Sequence, residues 1–321
     1  MISPVETRWN SSLKMMRSVL QMRPALEAIK ECTHRSTDSR LQDLIPDNTD
    51  MDIIEAIVPI LGKFENVSDF MQSETYPTIC HVMVKICFLQ MSLKKCIDSN
   101  DQTSALHQLA NNMSTDLEKR FPNYGSGEKA YAYTHLLHPG QKGTILYQQS
   151  IWNQTCQMMI EEEEGAPDQD AGLDQAMQVD SDEDEEQAML ASMSQAMPKG
   201  NPTDDSPMMQ EIVSFVSGGL VSGKNLDVLL YWKQHEKQYP LLAKVVRKYF
   251  CIQSTSCSAE RTFSTGGSTV TNKRTKLDPV NVHMLVYCRE NMNKIKLDKM
   301  VLENQEEEQL EKECNKDQND A

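Results

Sequence analysis

The sequence predicts a mainly α-helical protein, on three observations. Apolar residues recur every three or four positions over long stretches of the first 125 residues, which is the period of helices with one buried face. Aromatic residues make up only 6% of the 321 residues while methionine occurs 20 times, a balance that favours helix packing over sheets. Prolines stand where apolar patterns restart, in positions that suit the first turn of a helix.

The first 125 residues are expected to form one helical domain. Pro24 separates the first two helices, because its ring clashes with the preceding turn but suits a helix start. Pro59 is expected to kink or break the second apolar pattern, and Pro77 opens the third. Such patterns predict a packed core and indicate no cofactor site. The four clearest patterns occupy residues 9–20, 53–71, 79–93 and 106–117.

An acidic stretch interrupts the chain. Between Gly143 and Pro198 there are thirteen Asp and Glu residues and no Lys or Arg. Residues 161–210 contain too few apolar side chains to offset chain entropy, so we expect a disordered acidic linker. Ser181 lies in an acidic sequence that acidophilic kinases favour, although an unmodified solvated tract explains it equally well. Residues 126–160 are expected to be partly helical, and the sequence does not determine which of them are ordered.

Helical structure is expected to return over residues 225–293, followed by a charged tail at 294–321. Pro240 suits the first turn of one helix, and Asp278 followed by Pro279 is a strong start signal for another. Residues 231–300 contain thirteen Lys and Arg against five Asp and Glu, a balance of +8 within a chain of net charge −15. This part can therefore contact phosphate or an acidic partner.

Several spaced features between residues 258 and 291 coincide. Residues 258–267 are Ser-Ala-Glu-Arg-Thr-Phe-Ser-Thr-Gly-Gly, followed by a Lys-Arg pair at 273–274, Leu-Asp-Pro at 277–279 and an apolar run at 285–291. This pattern resembles the C-terminal signature of hAT-family transposases. Thr-Arg-Trp-Asn-Ser at 7–11 and Glu-Thr-Tyr-Pro-Thr-Ile at 74–79 are similar to the helical insertion of hAT-derived zinc finger BED proteins. The resemblance implies a helical insertion domain at 1–125 and C-terminal helices of an incomplete RNase H-like core.

The resemblance maps the third acidic metal ligand of the transposase site onto Glu260. Its two partners should lie upstream of the motif at 7–11, so we expect an incomplete catalytic site, no enzymatic activity, and no metal or cofactor. A structural role competes with the catalytic one. If Ser258 caps a helix, Glu260 lies in its first turn, where the helix dipole favours an anion. The alternative is that the chain is a fragment of a metal-dependent transposase that performs DNA strand transfer with an upstream part.

The resemblance also implies protein association through residues 225–293, with a second copy or a related hAT protein as partner. Buried aromatic and aliphatic anchors carry most interface energy. We expect some of the candidates to belong to the internal core instead. The candidates are Trp232, Tyr239, Leu242, Val246, Tyr249, Phe263, Leu285 and Val286.

A basic cluster and two local Cys/His pairs complete the candidate sites. Lys273, Arg274 and Lys276 could contact DNA phosphate, form part of a nuclear import signal, or be a solvated loop. Nuclear location and auxiliary DNA or chromatin binding are therefore expected, and no membrane segment is indicated. Gly266 and Gly267 are expected to form a turn. Cysteine-histidine pairs occur at 32–34 and 80–81, but no second pair follows at zinc-ligand spacing, so neither is predicted to bind metal.

Overall fold

The computed structural model describes residues 9–33, 45–144, 146, 149–164, 189, 206–221, 226–270, 278–289 and 291–292. The prediction of a mainly helical protein is confirmed, and the described residues contain no strand. The chain divides into two compact units between Ser254 and Thr255, which are described separately below. Within the described residues, no helix has the length and apolar character that a membrane crossing would require.

The first unit begins with helices α1 (Trp9–Gln21), α2 (Arg23–Thr33) and α3 (Asn48–Met71). Helix α3 is started by a capping box, in which Asp47 accepts from the amide of Asp50 at 2.7 Å. The helix continues through Pro59, so the expected break is absent. Proline cannot donate a backbone hydrogen bond, and packing of α3 against α1 and the following helices offsets the cost of that missing bond.

The middle of the first unit contains two longer helices and two short turns. A single 3₁₀ turn, Ile79–His81, leads into α4 (Val82–Asp98), which packs along α5 (Ala105–Arg120). A second 3₁₀ segment, Pro122–Gly125, then leads to α6 (Lys129–Leu136). The described part of 126–160, whose local order the sequence left open, is therefore partly helical, and the last five residues of α6 are buried.

The largest core joins α4 and α6 to helices from the second half of the unit. These are α7 (Gln149–Glu164), α8 (Pro207–Ser217), α9 (Val228–His235) and α10 (Pro240–Tyr249). Buried side chains from all six helices form one continuous cluster. Residues on both sides of the acidic stretch therefore share one core.

Most of the predicted acidic linker at 161–210, including Ser181, lies outside the described residues, as does the predicted tail at 294–321. The two ends of the linker that the structure describes are helical. Residues 161–164 end α7, and residues 207–210 begin α8, where Ser206 accepts a capping hydrogen bond from the amide of Met209 at 3.3 Å.

The second unit contains α11 (Cys257–Thr269) and a further helix, α12, at residues 279–289. The expectation of a turn at Gly266 and Gly267 is wrong, because both lie inside α11. A Cβ atom at position 266 would lie 3.9 Å from Val286 Cγ2, an ordinary contact distance, so position 266 faces α12 at Val286. The predicted start of α12 is confirmed, and Asp278 accepts from the amide of Val280 at 2.8 Å.

Candidate dimerisation surface

The eight residues predicted for association fall into two groups. Five of them lie in the first unit and are buried against this chain's own side chains: Trp232, Tyr239, Leu242, Val246 and Tyr249. Phe263, Leu285 and Val286 lie in the second unit, where Phe263 and Leu285 are exposed and Val286 is half-buried. The alternative of an internal core role therefore describes the first group.

Trp232 is the centre of the first group. Its indole Nε1 donates to the backbone carbonyl of Leu137 at 2.9 Å, and its ring packs on those of Phe215 and Tyr239 at centroid distances of 5.1 and 6.3 Å. Since Trp232 is fully buried, it cannot contact a partner while the first unit is folded. Its apolar area and hydrogen bond support the fold instead.

Tyr249 fastens α10 to α7. Its hydroxyl donates to Glu162 Oε1 at 2.7 Å, and its ring meets that of Tyr133 edge-on at 5.2 Å. Burial, then the contact with Glu162, raises the pKa of the Tyr249 hydroxyl. Burial also raises the pKa of Glu162, but hydrogen bonds from Lys248, Tyr249 and Lys129 outweigh it and lower that pKa to about 2. This ionised carboxylate connects α6, α7 and α10.

The second unit has the opposite character, because no residue of α11 is buried. Phe263 is 78% exposed, and α12 carries further exposed apolar side chains. Isolated exposed apolar residues are ordinary, but their concentration on and next to two short helices is typical of an interaction surface. We call this set the C-terminal apolar surface: Phe263, Val270, Val280, Met284, Leu285, Tyr287 and Met292.

Glu260 lies on the exposed side of this unit, in the first turn of α11. Its Oε1 accepts from the Ser256 hydroxyl at 2.9 Å. The helix starts at Cys257, so Ser256 precedes it and the idea that Ser258 caps the helix is wrong. Glu260 nevertheless has the position at the helix start in which the dipole favours a carboxylate. It belongs to no group of three metal-type ligands within the described residues.

The basic cluster predicted for phosphate contact, Lys273, Arg274 and Lys276, lies outside the described residues. The side chains of the pair at 32–34 are likewise outside them. The pair Cys80 and His81 is described, and the fold brings His138 next to it. Sequence spacing missed this group, since its third member lies far downstream. The sequence does contain a second histidine pair, His135 and His138, that could have indicated the site. Helices α4 and α5 separate it from Cys80 and His81, so spacing along the chain does not connect the two pairs.

The surface residues of the second unit were also only partly predicted. Leu285, a candidate for association on α12, is 46% exposed in the single chain. The apolar pattern marked the correct helix, but a pattern does not distinguish an internal core from a face that a partner covers. Only the packing of α11 and α12 makes that distinction.

Comparison with known proteins gives two matches. Residues 206–292 match the model of the hAT family C-terminal dimerisation region. The chain is also similar to "Putative AC transposase" of Zea mays, with 22% identity over 312 residues that cover 89% of this chain and 36% of that protein. The chain thus spans about a third of the length of this curated relative.

The matched segment crosses the division between the two units. Its first part, through Ser254, includes α8, α9 and α10, whose apolar faces are buried in the first unit. Its second part includes α11 and α12 and carries the C-terminal apolar surface. On the motif at 258–267 together with these matches, residues 206–292 of this chain are a hAT family C-terminal dimerisation region.

Proposed function

We propose that this chain is a transposase-derived association protein that forms a homodimer through the C-terminal apolar surface. The observation that carries the proposal is the exposure of Phe263 and of the apolar face of α12, within a segment that matches a dimerisation region. The five candidates in the first part of that segment, from Trp232 to Tyr249, are buried in the core of the first unit. A second copy supplies a complementary face of the same chemistry, as a two-fold interface requires.

The energetics favour Phe263 as an anchor of this interface. A phenylalanine buries about 150–250 Å² when covered, and each Å² of apolar area removed from water contributes roughly 25 cal/mol. Side chains of this kind, at the centre of an interface, cost about 2 kcal/mol or more when truncated. Leu285 and Tyr287 on α12 add exposed aliphatic and aromatic area in the same unit as Phe263.

Sedimentation equilibrium of the full chain tests the dimer. We expect a reversible dimer for the wild type and a dissociation constant raised about 30-fold or more by Phe263→Ser, which corresponds to about 2 kcal/mol. Leu285→Ser should also weaken it. Met91→Ser is a matched control, because Met91 is 45% exposed on α4 and Leu285 is 46% exposed on α12. A wild type that stays monomeric at tens of micromolar, roughly the weak limit for a specific dimer, would overturn the proposal.

A related hAT protein is the other partner that a dimerisation region supports. Mixing the tagged full chain with such a protein and measuring the mass of the complex separates the two partners. A homodimer that does not exchange with the relative supports self-association. A wild-type chain that is monomeric alone and pairs only with the relative would show a heterodimer instead of the proposed homodimer.

Auxiliary DNA or chromatin contact in the nucleus is a second part of the proposal. It is supported by the +8 balance of residues 231–300 and by the basic cluster at Lys273, Arg274 and Lys276. Contacts of this kind lie on phosphate, so affinity should fall as salt rises and depend little on sequence. Titration of the full chain with duplex DNA at several salt concentrations tests it, with a triple Lys/Arg→Gln variant of the cluster as comparison. Fluorescence microscopy of the tagged protein tests the location.

We further propose that this chain does not by itself perform strand transfer. Two-metal chemistry needs several carboxylates around the ions, and within the described residues Glu260 belongs to no group of three metal-type ligands. The alternative is that the chain acts as part of a longer metal-dependent transposase. Incubating the full chain with transposon-end DNA and Mg²⁺ tests this directly, and cleavage that Glu260→Gln abolishes would favour the alternative.

A further inference from the structure

A compact group of metal-type ligands lies in the first unit. The Sγ atom of Cys80 and one ring nitrogen each of His81 and His138 lie within 4.8 Å of one another. Cys80 is fully buried, His138 is 6% exposed and His81 is half-buried. It is the only group of three such ligands within the described residues.

Two separate pieces of backbone build this group. Cys80 and His81 lie in the 3₁₀ turn that precedes α4, and His138 lies in the loop that follows α6. The turn and α6 pack directly on each other. The rings of His81 and His138 meet edge-on with centroids 4.9 Å apart. The turn and the loop are thus held together by core packing, which limits the rearrangement that an ion would require.

Gln141 holds the outer side of the group. Its amide lies 3.3 Å from His81 Nδ1 and 2.8 Å from His135 Nδ1. Metal-binding histidines use one ring nitrogen for the ion while a polar group orients the other. In the metal-free group Gln141 Nε2 donates to His81 Nδ1, and Gln141 Oε1 accepts from His135 Nδ1. Binding of an ion by His81 Nε2 requires the proton on Nδ1, so the Gln141 amide turns over and its oxygen accepts from His81 Nδ1–H.

We propose that Cys80, His81 and His138 bind a zinc ion, with water as the fourth ligand. Thiolate and imidazole are the ligands that zinc prefers in proteins. At bond lengths of about 2.3 Å for sulfur and 2.0–2.1 Å for nitrogen, ligand atoms of a tetrahedral site lie roughly 3.5 Å apart. The group therefore closes by about 1 Å when the ion binds.

Binding replaces two hydrogen bonds of the metal-free group. The Cys80 thiol donates to the carbonyl of Pro77 at 3.0 Å, and His138 Nδ1 accepts from the amide of Gly140 at 3.1 Å. On binding, the thiol proton is released to solvent and a zinc–sulfur bond forms. For His138 the ring turns so that one nitrogen faces the ion. A single negative thiolate also offsets part of the charge that zinc adds near Lys85, whose Nζ lies over the Phe70 ring next to His81.

The ion would join two segments of the core. It fastens the turn before α4 to the loop after α6, the loop whose Leu137 carbonyl receives the Trp232 hydrogen bond. Zinc should therefore stabilise the first unit, because an ion that binds only the folded state adds its binding free energy to the stability. This inference does not depend on the dimer.

Cobalt is the probe that reports the ligands directly. The full chain is purified, stripped with a chelator and titrated with Co²⁺, whose thiolate charge-transfer absorption appears only when sulfur binds the ion. We expect one equivalent of Co²⁺ to saturate the band and zinc to displace it. Cys80→Ser should abolish the band, while Cys87→Ser should retain it, because Cys87 is an equally buried cysteine on α4 outside the group.

A second pair of measurements keeps the result interpretable if Cys80→Ser does not fold. Because Cys80 is fully buried, an alkylating reagent reaches it only when the fold opens locally. Zinc should slow this alkylation in the wild type, as followed by mass spectrometry, and leave the rate at the exposed Cys251 unchanged. Gln141→Leu should retain the band with an affinity lowered about 10–100-fold. A folded wild type that takes up no stoichiometric Co²⁺, or zinc that fails to protect Cys80, overturns the proposal and leaves a hydrogen-bonded Cys/His cluster without an ion.

Discussion

The indole nitrogen of Trp232 donates a hydrogen bond to the backbone carbonyl of Leu137 at 2.9 Å, and both residues are fully buried. The bond connects α9, inside the dimerisation region, to the loop after α6, outside it. The N-terminal part of this region is consequently anchored in the core of its own chain. We therefore expect the proposed association to use the C-terminal part, where the apolar side chains of α11 and α12 are exposed.

Replacing Trp232 should affect folding rather than the interface. Trp232→Ala leaves a large cavity and a buried carbonyl without its donor, and we expect the free energy of unfolding to fall by about 3–5 kcal/mol. Urea unfolding followed by circular dichroism measures this. Phe263→Ser is the comparison: at concentrations where the chain is monomeric it should change stability by less than about 1 kcal/mol. Equal losses for the two variants would contradict the assignment of Trp232 to the core.

Glu162 predicts a specific loss of stability in acid. The pKa of Glu162 is about 2 in the folded protein, against 4.5 for a glutamate without these contacts, as in the unfolded chain. The contribution of Glu162 to the free energy of unfolding is therefore fully present above pH 4.5 and is lost as the pH falls toward 2. Other carboxylates titrate in the same range, so the quantity to measure is the difference in unfolding free energy between the wild type and Glu162→Gln. That difference should be largest near neutral pH and shrink through this window. A difference that is independent of pH would rule out an ionised Glu162 as the cause.

Asp227 should be a major cap of α9. Its Oδ1 accepts from the amides of Leu229 and Leu230, both at 3.0 Å. Asp227→Ala should destabilise the first unit by about 1 kcal/mol, within the range of 0.5–2 kcal/mol found for helix caps. Asp227→Asn retains a capping oxygen and should cost much less. Thermal unfolding of the two variants compares them, and an equal cost would mean that charge, not capping, explains the effect.

Gly267 should be a site where helix α11 can be stabilised. A Cβ atom there meets nothing within 4 Å, and the residue lies inside the helix. Gly267→Ala should therefore stabilise α11 by about 0.5–1 kcal/mol, because alanine loses less backbone entropy. Slower amide hydrogen exchange across 257–269 is the expected result.

Gly266→Ile is the counterpart, because position 266 faces Val286 and a branched side chain would push α11 and α12 apart. This variant should speed amide exchange in both helices. Exchange that slows equally in the two variants would show that α11 and α12 do not pack closely at Gly266.

Sequence patterns predicted individual helices well but misjudged the glycine pair at 266–267. The start of α12 at Asp278 and Pro279, and Pro240 in the first turn of α10, follow from local backbone chemistry and are present in the structure. Pro59 was expected to kink or break its helix, and the helix is not broken there. The glycine pair at 266–267 was expected to form a turn and lies inside α11. Packing of α3 against its neighbours outweighs the preference against an internal proline, whereas each glycine in α11 costs only about 1 kcal/mol, which is too little to end the helix.

By itself the sequence determined the helical class, the family signature at 258–291 and the candidates for association, because these depend on residue type and on short spacings along the chain. Tertiary structure alone decided which candidates face the core, since Trp232 and Phe263 are both large aromatic residues in one matched region, yet one is fully buried and the other is 78% exposed. It also placed Cys80 and His81 beside His138. Burial and ligand geometry arise from contacts between distant segments, and no local pattern contains that information.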